Sequence, residues 1–167
     1  LEELLRRKEE LGFERVYLFI RGRKDVSAQE RFQKELVTSQ CFDLLEANWP
    51  QHCHIISGEL TQNACGVSED DQKLISKNIT HIIHCAASVE FDLPIEEAAN
   101  FNITAALNVL ALAKSCQKLK QMVSVSTAYV TPWKPNQGPV REELVSLPLS
   151  PAKVYQKILL KQADEKL

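Results

Sequence analysis

Val16-Tyr17-Leu18-Phe19-Ile20 places five apolar residues, four of them β-branched or aromatic, between Arg15 and Arg21. A run of that length and type, closed at both ends by charge, predicts a strand buried on both faces, the signature of a parallel sheet. On its N-terminal side Leu1, Leu4, Leu5 and Leu11 recur at helical spacing opposite a charged face that ends near Gly12, which predicts an opening helix. On its C-terminal side Cys53–Ser57, His81–Ala86 and Gln121–Ser126 read as further strands, separated by charged or amphipathic stretches over Ser27–Leu45, Ser68–Lys77 and Leu93–Lys118. Strands alternating with helices at intervals of roughly 30 residues are what right-handed βαβ crossovers require. The expected fold is therefore α/β, a doubly wound parallel sheet, with residues 1–167 forming part of one domain.

Composition narrows the function classes. The 167 residues are 44% apolar, enough for a sizeable core and too many for a disordered chain. Twenty Lys and Arg oppose 22 Asp and Glu for a net charge of -2, and without a basic block the electrostatic footprint of a nucleic-acid binder is missing. The longest charge-free stretch, Ala98–Ala113, falls short of the roughly 20 apolar residues of a membrane span and carries Asn100, Asn102 and Asn108. Cys41, Cys53, Cys65, Cys85 and Cys116 are odd in number and widely spaced, which fits free thiols in a reducing, cytosolic setting. Asn78-Ile79-Thr80 and Asn102-Ile103-Thr104 match glycosylation sequons, read here as chance because no signal peptide accompanies them. After Val130, Thr131–Pro139 is a proline-punctuated loop past the end of the last strand, where such folds bind ligands. Ser150 as N-cap and Pro151 at the first helical position introduce a last helix over Ala152–Leu167.

Chemistry concentrates at the strand ends. Arg21 directly follows the first strand and Arg31 lies in the helix beyond, near where a doubly wound fold holds an adenosine ribose. An acidic residue there would bond a ribose 2'-hydroxyl, whereas guanidinium groups accept a 2'-phosphate; read on residue type alone, Arg21, Arg23 and Lys24 are equally an ordinary solvated basic loop. Gly58-Glu59-Leu60 follows the second strand, where glycine lets the backbone turn and the carboxylate could accept from an adenine amino group. His84-Cys85-Ala86-Ala87 closes the third strand with small residues, which suits either the close approach of a flat ligand or tight packing. Ser126 and Thr127 end the fourth, where a hydroxyl donates to a carbonyl oxygen as hydride arrives at carbon, or simply caps a turn. His52, Cys53, His54, His81 and Cys85 match no zinc-ligand spacing, so no metal is expected. No Gly-x-Ser-x-Gly elbow marks a hydrolase.

Several of these pieces fall in one familiar order: Val16–Arg21 with Ala28–Phe32, Ser57–Leu60, Gly66–Asp71, the run Ile83-His84-Cys85-Ala86-Ala87-Ser88-Val89-Glu90-Phe91-Asp92, Asn102, and Val125-Ser126-Thr127-Ala128-Tyr129-Val130. Over nearly its whole length the chain resembles the NAD(P)-binding "male sterility" domain of alcohol-forming fatty acyl-CoA reductases, within the extended short-chain dehydrogenase/reductase superfamily. The resemblance implies a Rossmann-like fold, NADPH as cofactor and a long-chain fatty acyl-CoA as substrate. It implies that Arg21 and Arg31 hold the 2'-phosphate, that Gly58, Glu59 and Leu60 line the adenine, and that Cys85, Ala86 and Ala87 lie against the dinucleotide. Thr127, with Ser126 as second choice, then polarises the thioester or aldehyde carbonyl, and Asn102 helps order a catalytic lysine. One hydride would carry the thioester to a hemithioacetal that expels CoA, and a second would carry the aldehyde to the alcohol.

Departures from that pattern also shape the expectations. Glu59 stands where the resembling proteins usually have Asp, and Ala105-Ala106 where they have Gly-Thr. The glycine-rich phosphate turn, the first strand, and the Tyr-x-x-x-Lys pair that supplies the proton are not found, and Tyr155, followed four residues later by Leu159, is expected to be a helix-face residue. Residues 1–167 alone are accordingly expected to be inactive and not to fold cooperatively, since the first strand sits at the centre of the order 3-2-1-4-5. Membrane association, at a peroxisomal or endoplasmic-reticulum surface facing the cytosol, would come only through segments outside this chain. The competing readings are a thioester reductase domain of a carboxylic acid reductase or peptide synthetase, a non-catalytic Rossmann module, and, least favoured by Gly66–Asp71 and Phe91-Asp92, a sugar-nucleotide epimerase.

Overall fold

The computed structural model describes residues 1–127, 138–140, 142–144, 146 and 148–161. Strand β1 (Val16–Ile20) pairs in parallel with β2 (Cys53–Ser57), from Val16 opposite Cys53 to Ile20 opposite Ser57. Strand β3 (His81–His84) pairs in parallel with β4 (Gln121–Ser124), from His81 opposite Gln121 to His84 opposite Ser124. Parallel neighbours need a long crossover, and each pair has a helical one. Among the described residues β1 and β3 share no ladder, so the strands form two separate two-stranded sheets. That is the pattern of a Rossmann-like order 3-2-1-4-5 whose strand 1 is supplied by none of these residues.

Side chains alternate across β1, and the alternation builds two cores. Val16, Leu18 and Ile20, with Cys53 and Ile55 of β2, pack on Leu5, Phe32, Phe42 and Trp49. There the Phe42 and Trp49 rings stack at 4.5 Å and Phe32 meets Trp49 edge-on at 5.8 Å. Tyr17 faces the opposite way and joins Ile56, Cys65, Val67, Ile75, Val109 and Leu112, where Ile82 of β3 and Met122 of β4 also pack. This second core is what unites the two sheets. Its helices are α4 (Glu69–Asn78) and α6 (Ala105–Ser115). Ser68 caps α4 by accepting from the Asp71 amide at 3.2 Å, and Glu69, Asp70 and Asp71 put negative charge at the helix's positive end.

The expected elements are present with altered bounds. The strands expected to reach Ala86 and Ser126 end at His84 and Ser124, although the Val125 amide still donates to the His84 carbonyl at 2.8 Å. The helix expected over Ser27–Leu45 begins with a capping box between Ser27 and Glu30, runs as α3 (Ala28–Arg31), widens into a π-helical turn (Phe32–Val37) and gives way to a 3-10 turn (Gln40–Phe42). The Leu93–Lys118 stretch is likewise interrupted, α5 (Ile95–Ala99) passing through a π-helical turn (Asn100–Thr104) into α6. The opening helix breaks at Arg7 into α1 (Glu2–Arg6) and α2 (Lys8–Leu11), and with its register lost Leu11 stands exposed. Phe19 is 38% exposed, so β1 is not sealed on both faces as expected. The last helix, α7, spans Pro151–Leu159; Ser150 occupies its N-cap but its side chain makes no capping bond. Most of the Thr131–Pro139 loop, and the expected continuation of α7 over 162–167, lie outside the described residues.

Candidate functional site

At the end of β1 the chain makes a tight turn from Arg21 to Val26. Arg23 and Val26 close it by exchanging backbone hydrogen bonds of 2.9 and 2.8 Å, and Lys24 takes a left-handed conformation at its tip (φ 47). Arg21, Gly22, Arg23, Lys24, Asp25 and Val26 line an open cleft of about 630 Å³. Three cations against one carboxylate make that cleft electropositive. The Arg21 side chain is 53% exposed, and its Nη1 donates to Glu59 Oε2 at 3.2 Å. Arg31 lies beneath the turn. Its Nε and Nη2 donate to the two Glu35 oxygens at 2.9 and 2.6 Å, and its Nη1 donates to the Arg21 carbonyl at 2.5 Å. The hydrogen bonds from Arg31 hold the Glu35 carboxyl below the usual carboxylate range, and the same contact pushes the Arg31 guanidinium up.

The turn after β2 is built around Gly58. A Cβ there would lie 2.7 Å from the Cys65 carbonyl oxygen and 3.1 Å from the Phe19 ring, so only glycine lets these strands of chain approach. Ala64, Cys65 and Gly66 are all left-handed (φ 48, 58 and 60), which swings the Cys65 carbonyl back to accept from the Glu59 amide at 2.9 Å. Cys65 itself is fully buried, and burial pushes its thiol up to about 11. Glu59 Oε1 accepts from the Thr61 amide at 3.2 Å and the Thr61 hydroxyl at 3.0 Å, leaving Oε2 for Arg21. Burial pushes the Glu59 carboxyl up, but the bonds from Thr61 and Arg21 outweigh it, and the group ends below the usual range. Arg21, Arg31 and Glu59 are thus drawn together into one hydrogen-bonded cluster at the end of the β1–β2 sheet, with Gly58 forming the turn beside it and Leu60 held just behind.

Asn108 of α6 is the residue that sequence reasoning missed. Its Nδ2 donates to the Leu60 carbonyl at 2.8 Å and the Gln62 carbonyl at 2.9 Å, pinning the turn to the helix. The signal available was a lone amide inside the apolar run Ala105–Ala113.

At the end of the β3–β4 sheet, Cys85, Ala86 and Ala87 are exposed, as are Ser126 and Thr127. Asn102, on the π-helical turn before α6, accepts from the Ser88 amide at 2.8 Å and donates to the Ser88 carbonyl at 3.3 Å. It therefore tethers the segment that follows β3. Tyr155 shares a 2.7 Å hydrogen bond with Thr104, which ties α7 to that same turn. Among the described residues no three His, Cys, Asp or Glu side chains gather as metal ligands, and no helix is long and apolar enough to cross a membrane.

The chain is 30% identical over 161 residues to fatty acyl-CoA reductase 1 of Rattus norvegicus, covering 95% of this chain and 30% of that protein. It is 33% identical over 132 residues to fatty acyl-CoA reductase wat of Drosophila melanogaster, covering 77% of this chain and 25% of that one. It therefore spans under a third of the length of these relatives. Among solved structures, the terminal R domain from the myxalamid PKS-NRPS biosynthetic pathway superposes with a TM-score of 0.69 at 24% identity, over 96% of this chain and 40% of that one. That likeness establishes the Rossmann-like fold. The profile of the male sterility protein family, an NAD(P)-binding domain, matches residues 1–166, and the chain belongs to that family.

Proposed function

We propose that the chain is part of an NADPH-dependent reductase that converts long-chain fatty acyl-CoA to fatty alcohol through an aldehyde. The observation that carries the cofactor choice is Arg21: a half-exposed guanidinium at the end of β1, on the rim of a cleft with Arg23 and Lys24, where an NAD-selective site would present a carboxylate to the ribose. The glycine turn at Gly58 holds the Glu59 carboxylate fixed, and such a carboxylate suits an adenine amino group beside it. Arg21 then meets the 2'-phosphate with Arg31 behind it, Gly58, Glu59 and Leu60 line the adenine, and Cys85, Ala86 and Ala87 border the dinucleotide. Thr127, with Ser126 as alternative, donates a hydrogen bond to the substrate carbonyl oxygen and so stabilises negative charge as it develops there. Asn102, which tethers the segment after β3 through Ser88, helps order the catalytic lysine. The nicotinamide, when bound, supplies hydride.

Activity belongs to the longer protein, with residues 1–167 inactive alone and any membrane attachment carried elsewhere. The test is to supply the full-length protein with palmitoyl-CoA and either NADPH or NADH. Formation of hexadecanol with preference for NADPH is expected. Failure to consume palmitoyl-CoA would overturn the substrate, and preference for NADH would overturn the reading of Arg21.

A further inference from the structure

Two arginines stand by the cleft, but they are not equivalent. The Arg21 side chain is 53% exposed and spends one hydrogen bond, on Glu59. The Arg31 side chain is 15% exposed, and three of its five N–H groups are already spent: Nε and Nη2 face Glu35 and Nη1 the carbonyl of Arg21, leaving one N–H on each Nη. The Nε–Nη2 edge is the fork that matches a phosphate or carboxylate with two parallel bonds, and Glu35 fills it. A phosphate arriving at that edge would have to displace a carboxylate four residues along the same helical segment and then sit beside it, negative charge against negative charge. Glu35 is no passing surface partner. It lies in the π-helical turn that directly follows Arg31, and the first residue of that turn, Phe32, is anchored in the core at 2% exposure. Such turns recur at functional sites.

Resting on the reading of this cleft as the 2'-phosphate site, we propose that Arg31 is a positioning residue and not a phosphate ligand. Glu35 clamps it, Arg31 in turn fixes the Arg21 carbonyl and with it the turn 21–26, and the phosphate is held by Arg21 and Arg23. Arg23 is suited to the second place. It is exposed, it lines the cleft, and its backbone is locked by the reciprocal bonds to Val26, so ordering its side chain is the main remaining cost. Its charge also reaches Glu35, a minor addition to the hydrogen bonds from Arg31 that hold that carboxylate low.

The test measures binding of NADPH and of NADH to the full-length protein without acyl substrate, by fluorescence of the reduced nicotinamide, in wild type and in Arg23→Gln, Glu35→Gln, Arg31→Lys and the double variant of the last two. Arg23→Gln is expected to weaken NADPH about tenfold, the size of one charge-assisted hydrogen bond, and to leave NADH unchanged. Glu35→Gln, which keeps the shape but loosens the clamp, is expected to weaken NADPH several-fold. Arg31→Lys, which keeps the charge but loses the fork, is expected to do the same, with the double variant no worse than either single one. Tighter NADPH binding in Glu35→Gln would make Glu35 a competitor of the phosphate and Arg31 its direct ligand, overturning the proposal. So would an unchanged NADPH affinity in Arg23→Gln, or an equal loss of both cofactors in any single variant. If the wild type binds NADPH and NADH alike, or neither, it is the reading of the cleft that fails.

Discussion

Asn108→Asp exchanges one amide for one carboxylate of the same shape, and the structure says the exchange is far from conservative. The Nδ2 of Asn108 lies 2.8 Å from the Leu60 carbonyl and 2.9 Å from the Gln62 carbonyl, donating to both. Each such bond contributes about 0.5–1.5 kcal/mol net, so removing the donor in Asn108→Ala costs about 1–2 kcal/mol at this partly buried position. Asn108→Asp loses the same two bonds and adds a negative charge facing two carbonyl oxygens, which places it below the alanine variant. In a domain of this size each kcal/mol moves the melting temperature by roughly 2–4 °C. Thermal melts of the full-length protein should therefore rank wild type above Asn108→Ala above Asn108→Asp. NADPH affinity should fall in the same order, because the pinned carbonyls belong to the turn that presents Glu59. An aspartate variant that melts with the wild type, or above the alanine variant, would refute the assignment of Asn108 as the pin.

Gly58→Ala should cost about 1–3 kcal/mol and weaken NADPH, since its Cβ meets backbone oxygen at 2.7 Å, whereas Gly12→Ala, left-handed (φ 66) with nothing within 4 Å, should cost about 1–2 kcal/mol in melts and leave cofactor titrations unchanged. Under iodoacetamide at pH 8, peptide mass mapping should find Cys41 and Cys85 modified first and Cys65 protected, because Cys65 is buried and its thiol is pushed up to about 11. That raised value gives an alkaline limb: the native state keeps a proton the unfolded chain releases from about pH 9, so the stability it contributes is whole below 9 and is lost as pH rises through about 11. Glu59 gives the opposite limb: its folded value lies below the ordinary 4.5, so its contribution is whole above 4.5 and fades as pH falls through the lowered value. Melts between pH 7 and 3 should accordingly lose part of their acid slope in Glu59→Gln.

Strand positions were legible in the sequence because a central parallel strand leaves a dense local mark. Val16–Ile20 and Cys53–Ser57 are found with the bounds their composition implied, and α4 falls within the Ser68–Lys77 stretch but for its last residue, Asn78. Helix interiors were less so. Nothing in the residues 32–37 or 100–104 announces a π-helical turn, since the periods of α and π helices differ too little to separate over one turn. The site residues were picked by type and by place at strand ends, but their partners were not. Glu35 for Arg31 lies four residues away and reads as an ordinary surface pair, while Asn108 reaches the turn from 48 residues downstream. Long-range hydrogen bonds of that kind depend on the packing of α6 against Cys65 and Val67, which no local pattern encodes.

Glu59 shows how such a partnership alters the meaning of a departure from the family pattern. By resemblance an aspartate is usual at this position, and glutamate is longer by one methylene. Its extra methylene lets the carboxylate do two things at once: Oε1 stays on the Thr61 amide and hydroxyl, as a shorter acid would, while Oε2 reaches 3.2 Å from Arg21. Those bonds link the turn after β1 to the turn after β2. A guanidinium has five N–H groups, and Arg21 spends one of them here, so four remain to meet an anion from the cleft without breaking the link. The pair therefore orients Arg21 in advance of any ligand, and the entropy of fixing a long, half-exposed side chain is partly met within the protein itself.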